Sequence, residues 1–353
     1  MNFVNDINVD EIKPLISPTY LIDELPITER ALQNVLTSRE IIKNILNGSD
    51  PRLLIIVGPC SIHNPEAALE YALKLKVLCQ QLSSSLFIVM RTYFEKPRTT
   101  VGWKGFINDP DLNNSFNINK GLKLARELLI NINELGVPCG IEFLDTISPQ
   151  YISDLISWGA VGARTTESQL HRELVSGLSM PIGFKNSTNG NIQIVVDAIK
   201  SSSNPHRFLG VNINGMASII KTKGNLNTHM ILRGSDHGPN YHQQFIDVAY
   251  NILHNNNIST NIVVDCSHGN SQKKYKNQIN VICYLTDLIK SGYDKINGLM
   301  IESNLKSGNQ PLSSNLKYGV SITDECIDWN TTENLLILLS VAVYNRTQIK
   351  LLP

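Results

Sequence analysis

The stretch LFIVMRTYFEKPRTTVGWKGF, residues 86–106, raises the questions of fold and function together. Its first five residues form an unbroken apolar run, the pattern of a strand buried on both faces. Arg91, Lys96, Arg98 and Lys104 follow within fourteen residues, opposed by the single acid Glu95. Thr99 and Thr100 add hydroxyls, and Pro97, Gly102 and Gly105 stiffen or bend the backbone. A buried strand that runs out into cations and hydroxyl donors suits phosphate or carboxylate oxygens. By itself the stretch reads equally well as a solvated charged loop, so the flanking sequence has to decide.

The bulk composition narrows the options. Of 353 residues, 42% are hydrophobic and 18% charged, and Lys plus Arg balance Asp plus Glu at 31 each. No global field exists to gather nucleic acid or a membrane surface, so any anion affinity must come from local clustering. No apolar run reaches the ~20 residues a membrane span needs. The opening MNFVNDINVDEIKP has neither the basic flank nor the apolar core of a signal peptide, so a cytoplasmic location is expected. Six cysteines (60, 79, 139, 266, 283 and 326) stand apart with no CxxC, and a disulfide framework is not expected.

Away from 86–106 the same grammar repeats. Residues 1–50 read as an extension whose one clear helix covers 27–46 and stops at Gly48. Such an extension packs on its own domain or on a neighbouring subunit. Apolar strands are expected at 53–57, 86–90, 139–143, 160–163, 181–184, 229–232, 261–264 and 298–301. Each precedes a helix: 65–81, 119–134, 149–158, 168–176, 192–200, 242–254, 275–289 and 332–348. A β-hairpin at about 207–222, turning at Asn214-Gly215, interrupts the series. Eight strand–helix units predict an α/β fold of the (β/α)8 TIM-barrel class over 51–353. The rival, an open doubly wound sheet, is weakened because no glycine-rich dinucleotide fingerprint follows any strand.

The ends of the strands carry the functional signal. Cys60, Arg91, Glu142, Arg164, Lys185, Arg233, His268 and Glu302 sit at or just after successive strands. In a barrel these ends share one face, so distant residues converge on one mouth. A solvated strand terminus explains any one of them, but not all eight together. Cys60, His268 and Glu302, with Asp324 just beyond the eighth strand, suit a divalent transition metal. Taken singly, Cys60 also reads as a buried thiol and His268 as a satisfied polar residue. Arg91, Lys96, Arg98, Arg164, Lys185 and Arg233 form a cationic set for a strongly anionic ligand, such as two phosphates and a carboxylate. A metal beside anion sites points to aldol-type condensation of phosphorylated metabolites.

At these residues the chain resembles a known family. GPCSIH (58–63), RTYFEKPRTTVGWKGFINDP (91–110), GARTTESQ (162–169), GFKNSTNG (183–190), ILRG (231–234), DCSHGNSQK (265–273), IESN (301–304) and YGVSITDECI (318–327) look like 3-deoxy-D-arabino-heptulosonate 7-phosphate synthase, of the microbial feedback-regulated type. The resemblance runs from about residue 12 to the C-terminus. It implies condensation of phosphoenolpyruvate with D-erythrose 4-phosphate, releasing phosphate, as the first step of the shikimate pathway. One divalent metal ion (Mn, Fe, Co or Zn) on Cys60, His268, Glu302 and Asp324 is implied, acting on the aldehyde. Arg164 and Arg233 would hold the phosphate of phosphoenolpyruvate, and Lys96, with Arg91 and Lys185, its carboxylate. Arg98 and Thr99 would hold the phosphate of erythrose 4-phosphate. Lys96 would also donate a proton to the new alkoxide. Glu142 would orient the water that adds at C2, or serve structurally at its strand end.

The family also implies a homo-dimer or homo-tetramer and inhibition by an aromatic amino acid near the hairpin and a subunit interface. Segments 208–212, 178–181 and 317–320 look most like the tyrosine-sensitive form. The sequence departs from the family pattern at Ser187 and Asn189, and by one extra residue in GSDHGPNY (234–241). Three other readings stand beside this one: the sister synthase that uses arabinose 5-phosphate, a non-catalytic regulatory paralogue and, last, a generic metal-dependent aldolase, which accounts for the metal but not for three anionic groups. Trp103 and Lys104 have no role at this level.

Overall fold

The computed structural model describes residues 4–98 and 100–350. Two helices come first, α1 (Pro18–Glu24) and α2 (Glu29–Leu46). Ser17 and Thr28 cap them, their hydroxyls accepting from the backbone N–H of Tyr20 and Ala31. The short α1, with Pro18 at its first turn, was not anticipated from the sequence.

From Leu53 onward strands and helices alternate. The first five strands are β1 (Leu53–Gly58), β2 (Leu86–Arg91), β3 (Cys139–Glu142), β4 (Trp158–Val161) and β5 (Ile182–Lys185). The hairpin is β6 (Arg207–Val211) with β7 (Ala217–Lys221), and β8 (Thr228–Leu232), β9 (Ile262–Asp265) and β10 (Gly298–Glu302) follow. The intervening helices are α3 (Pro65–Gln81), α4 (Ile118–Glu134), α5 (Pro149–Ile152), α6 (Gln169–Val175) and α7 (Gln193–Ser202). The last three are α8 (Gln243–Asn255), α9 (Tyr275–Lys290) and α10 (Trp329–Lys350). Leaving out the hairpin, eight parallel strands close in the order β1-β10-β9-β8-β5-β4-β3-β2, a (β/α)8 barrel. Among the described residues, no helix is long and apolar enough to cross a membrane.

One boundary differs from expectation. The helix expected at 149–158 is a single turn followed by a 3-10 turn at Ser153–Leu155, and β4 begins at Trp158 rather than Ala160. Two guanidinium groups take the carbonyls that a longer helix would use. Arg126 donates to Tyr151 O at 2.8 Å and pairs with Asp154, while Arg39 donates to Ser153 O and Ile156 O. Trp158 is then free to enter the barrel, where its Nε1 donates to His229 Nε2 at 3.2 Å.

The barrel interior is filled by Leu54, Ile56, Val89, Trp158, Ala160, Ile231, Val263 and Met300. Ile42, Ile45 and Leu46 of α2 join this inner cluster. The carbonyls of Ile45 and Leu46 also accept from Asn297 Nδ2. The extension thus plugs the barrel end away from the strand C-termini and leaves the other mouth for chemistry. Ile42 is fully buried. Ile42→Ala is therefore expected to lower the unfolding free energy by about 2–5 kcal/mol, read from urea denaturation, while an exposed extension substitution such as Leu36→Ala changes it little.

Candidate active site

Strand register sets the level of the site. Gly58 pairs with Glu302, Arg91 with Gly140, Glu142 with Ala160, and Lys185 with Ile231, so the functional side chains leave the barrel at its C-terminal rim. There they surround a cavity of about 540 Å³ lined by Lys96, Arg98, Glu142, Arg164, Lys185, Arg233, His268, Lys273 and Asp324, among others. Five of the six expected cations line it. The sixth, Arg91, does not. It is fully buried, donates from Nη2 to Glu302 Oε1 at 3.0 Å and lies 3.9 Å over the Tyr93 ring.

At one side of the cavity the donor atoms of Cys60, Glu302 and Asp324 all lie within 4.8 Å of one another. His268 Nε2 stands 3.8 Å from Glu302 Oε1, at the edge of this group. The other ring nitrogen, Nδ1, lies 2.9 Å from Asp265 Oδ2 and 2.8 Å from Ser267 Oγ. That arrangement holds the ring and leaves Nε2 as the free lone pair, the usual preparation of a metal-ligating histidine. His268 adopts φ +53°, a left-handed conformation uncommon for a side chain of its size. The residues therefore fit a divalent ion, with one soft thiol, one imidazole and two hard carboxylates. Burial, reinforced by Glu302, pushes the Cys60 thiol up to about 12, with Lys96 opposing.

Several of the charges lining the cavity are matched in pairs. Lys96 Nζ lies 3.1 Å from Cys60 Sγ and 3.9 Å from Asp324. Burial works against its ammonium, yet Cys60, Glu302 and Asp324 together raise it, so it remains protonated. Lys185 Nζ bridges Glu142 at 3.3 Å and Asp265 at 3.4 Å. Burial would raise the Glu142 carboxyl, but Lys185 and Lys96 hold it below the usual carboxylate range. The same contest leaves Asp265 well below that range, its main partners being His268 and Lys185. Arg98, Arg164 and Arg233 have no ion-pair partner among the described residues, leaving a cationic upper wall.

This site can hold a cation and several anionic oxygens side by side. The DAHP synthetase I family matches residues 24–337. Over 349 residues the chain is 50% identical to the Phe-sensitive phospho-2-dehydro-3-deoxyheptonate aldolase of Escherichia coli K12, covering 98% of this chain and 99% of that one. It is also 50% identical, over 348 residues, to the Trp-sensitive aldolase of Salmonella typhimurium, covering 98% and 100%. A solved phospho-2-dehydro-3-deoxyheptonate aldolase from Francisella tularensis superposes with a TM-score of 0.94 at 51% identity, covering 96% and 99%. The chain belongs to the DAHP synthetase I family. It is a transferase-class enzyme of that type.

In this synthase several residues act that sequence reading left without a role. Asp265 stood inside the DCSH motif, and an acid ending the apolar run IVV was its visible signal. Trp103 is buried; its carbonyl accepts from Arg98 Nε at 2.8 Å, and its Nε1 donates to Asp109 O. Lys104 contributes its carbonyl, which accepts from Lys96 N at 2.9 Å. Together with the Glu95–Gly105 bridge these contacts fold the loop after β2 back on itself, aiming Lys96 and Arg98 at the cavity. Thr99 lies outside the described residues. Gly105 makes this fold possible, since at φ +126° a Cβ there would come 2.1 Å from Phe94 O. Gly105→Ala is expected to cut kcat/KM at least ~100-fold, as small misplacements of positioning groups do, with the circular dichroism spectrum unchanged. Activity near wild type would show that loop geometry does not position Lys96 and Arg98.

Proposed function

We propose that this synthase condenses phosphoenolpyruvate with D-erythrose 4-phosphate to give 3-deoxy-D-arabino-heptulosonate 7-phosphate and inorganic phosphate. The observation that carries the reading is a three-donor cluster, with His268 at its edge, opening onto a cavity walled by cations. Arg164 and Arg233 bind the phosphate of phosphoenolpyruvate, and Lys96 with Lys185 neutralises its carboxylate. Arg91, buried against Glu302, acts by holding that carboxylate in place. Arg98, with Thr99, binds the phosphate of the aldose.

Cys60, His268, Glu302 and Asp324 would hold one divalent ion, which would supply Lewis-acid activation of the aldehyde. C3 of phosphoenolpyruvate forms the new carbon–carbon bond, and Lys96, kept protonated by its anionic neighbours, supplies the proton to the alkoxide. Glu142, held deprotonated beside Lys185, orients the water that adds at C2. Phosphate then leaves with C–O cleavage. The sister reaction with arabinose 5-phosphate is not favoured, because KPRTT and the long extension match the erythrose 4-phosphate type. An inert paralogue is not favoured either, since buried charges without a function are a stability cost.

Residues 1–50 serve as an interface and regulatory extension on the 51–353 catalytic barrel. Supporting this, Thr19 N and Oγ1 donate to Ile213 O at the hairpin turn, at 2.9 and 2.8 Å. Leu209 and Ile219, exposed on the hairpin, suit a homo-dimer or homo-tetramer contact. An aromatic amino acid binds near this junction and inhibits. Tyrosine is favoured by segments 178–181, 208–212 and 317–320, although the relatives named above are Phe- and Trp-sensitive. The location is cytoplasmic.

Purified protein is expected to form the seven-carbon product from erythrose 4-phosphate, and to form none after exhaustive chelation or in the Cys60→Ala and His268→Ala variants. Full chelator-insensitive activity in both variants would remove the metal assignment. Asp265→Asn is expected to weaken divalent-ion binding by about 10–100-fold, measured by competition with a chelator. In an inhibition panel, millimolar or lower tyrosine should inhibit more than phenylalanine or tryptophan; the reverse order, or no inhibition, overturns the choice of effector.

A further inference from the structure

Glu95 is the one acid among the cations that follow β2, and the reaction proposed above gives it nothing to do. It is not a solvated counter-charge, for only 6% of its surface is exposed. Ser148, itself buried, donates from Oγ to Glu95 Oε2 at 3.3 Å, a contact across 53 residues of chain. The backbone N–H of Asp145 faces the same carboxyl. Both donors stand on the segment after β3, the strand that ends in Glu142. On its own loop Glu95 bridges to Gly105, and the flanking Phe94 and Phe106 pack ring to ring at 6.1 Å.

We propose that Glu95 is a positioning residue: it fastens the loop carrying Lys96 and Arg98 to the turn after Glu142, so that β2 and β3 present their charges to the cavity as one unit. This role rests on the substrate contacts proposed above and deepens them. The cations nearby are engaged elsewhere. Lys96 turns its ammonium to Cys60 at 3.1 Å, and Arg98 donates from Nε to Trp103 O. Lys104 is exposed, and Arg164 reaches this loop only at Pro97 O, 3.5 Å away. His171 of α6 is occupied by Ser168 Oγ and Leu144 O.

The charges that act most on Glu95 are instead the acids Asp145 and Glu142. A carboxyl buried without a cation is tolerable when it keeps its proton. Burial first, then Asp145 and Glu142, push this carboxyl up to about 8, with the Ser148 hydroxyl opposing. The folded-state value is the raised one, so the stabilisation is complete in acid. It declines as pH rises from the ordinary carboxylate range through about 8. Above that, a buried negative charge faces two acids and the fastening loosens.

The test uses the full-length enzyme and two readouts. At neutral pH, Glu95→Ala is expected to lower kcat/KM for erythrose 4-phosphate at least ~100-fold. Glu95→Gln, neutral and of the same shape, should recover most of it. The wild-type profile should fall on an alkaline limb near pH 8. That limb disappears in Glu95→Gln and moves to higher pH in Ser148→Ala, which removes a donor to the charged form. A residue that only fills space moves neither limb. The second readout needs no turnover, because proteolysis tracks the open population. Trypsin should cut after Arg98 or Lys104 at least ~10-fold faster in Glu95→Ala than in the wild type or Glu95→Gln, with mass spectrometry locating the cut. If Glu95→Ala does not fold, the limbs of the other two variants decide. Equal cleavage in all three chains, a limb that survives in Glu95→Gln, or wild-type kcat/KM in Glu95→Ala overturns the proposal. A wild-type chain that forms no product would instead remove the reaction, and the cleavage series would still decide on Glu95.

Discussion

The site rests on one buried ion pair. Arg91 ends β2 and Glu302 ends β10, the two strands that flank β1, and their side chains meet at 3.0 Å with essentially no solvent exposure. The pair spans the barrel rim directly beside Cys60 and turns Glu302 toward Asp324 and His268. Neither charge is tolerable alone at that depth. Breaking such a pair by removing one partner costs about 3–5 kcal/mol, because the other is left buried and uncompensated. The stability of the rim and the geometry of the Cys60, Glu302 and Asp324 donor cluster are therefore the same constraint.

Around this pair the charges are layered. The nearly buried cations Arg91, Lys96 and Lys185 are offset by Glu302, Glu142 and Asp265, and by the half-exposed Asp324. Above them Arg98, Arg164 and Arg233 face the cavity without such offset. A neutral chain thus supports a strongly cationic pocket. Its buried cations are fixed by protein carboxylates, and the other three have no ion-pair partner among the described residues. The folded-back loop after β2 joins the two layers, since Lys96 belongs to the lower and Arg98 to the upper.

Much of this was legible in the sequence, for an identifiable reason. Parallel strands buried on both faces leave plain apolar runs, and in a barrel a polar residue ending such a run has to sit on the catalytic rim. Cys60, Glu142, Lys185, His268 and Glu302 were found that way. Arg91 was found too, but a sequence cannot show that its guanidinium turns down to Glu302 rather than up to the cavity. The start of β4 was misplaced because Arg39 and Arg126, far away in sequence, take the carbonyls that end α5. Lys104 acts through its backbone carbonyl, and Trp103 through its carbonyl as well as its indole N–H, and no side-chain pattern reveals a carbonyl's role. Asp265 was visible as an acid at a strand end beside a histidine, yet its hold on both His268 and Lys185 needed three dimensions.

The central claim is that the strand ends assemble a thiolate-containing metal site beneath an anion pocket. The most direct measurement is the optical spectrum of the cobalt(II)-loaded protein. A thiolate-to-metal charge-transfer band is expected, lost in Cys60→Ser and altered in His268→Ala. A cobalt spectrum without that band in the wild-type chain, or one unchanged in Cys60→Ser, would contradict the account.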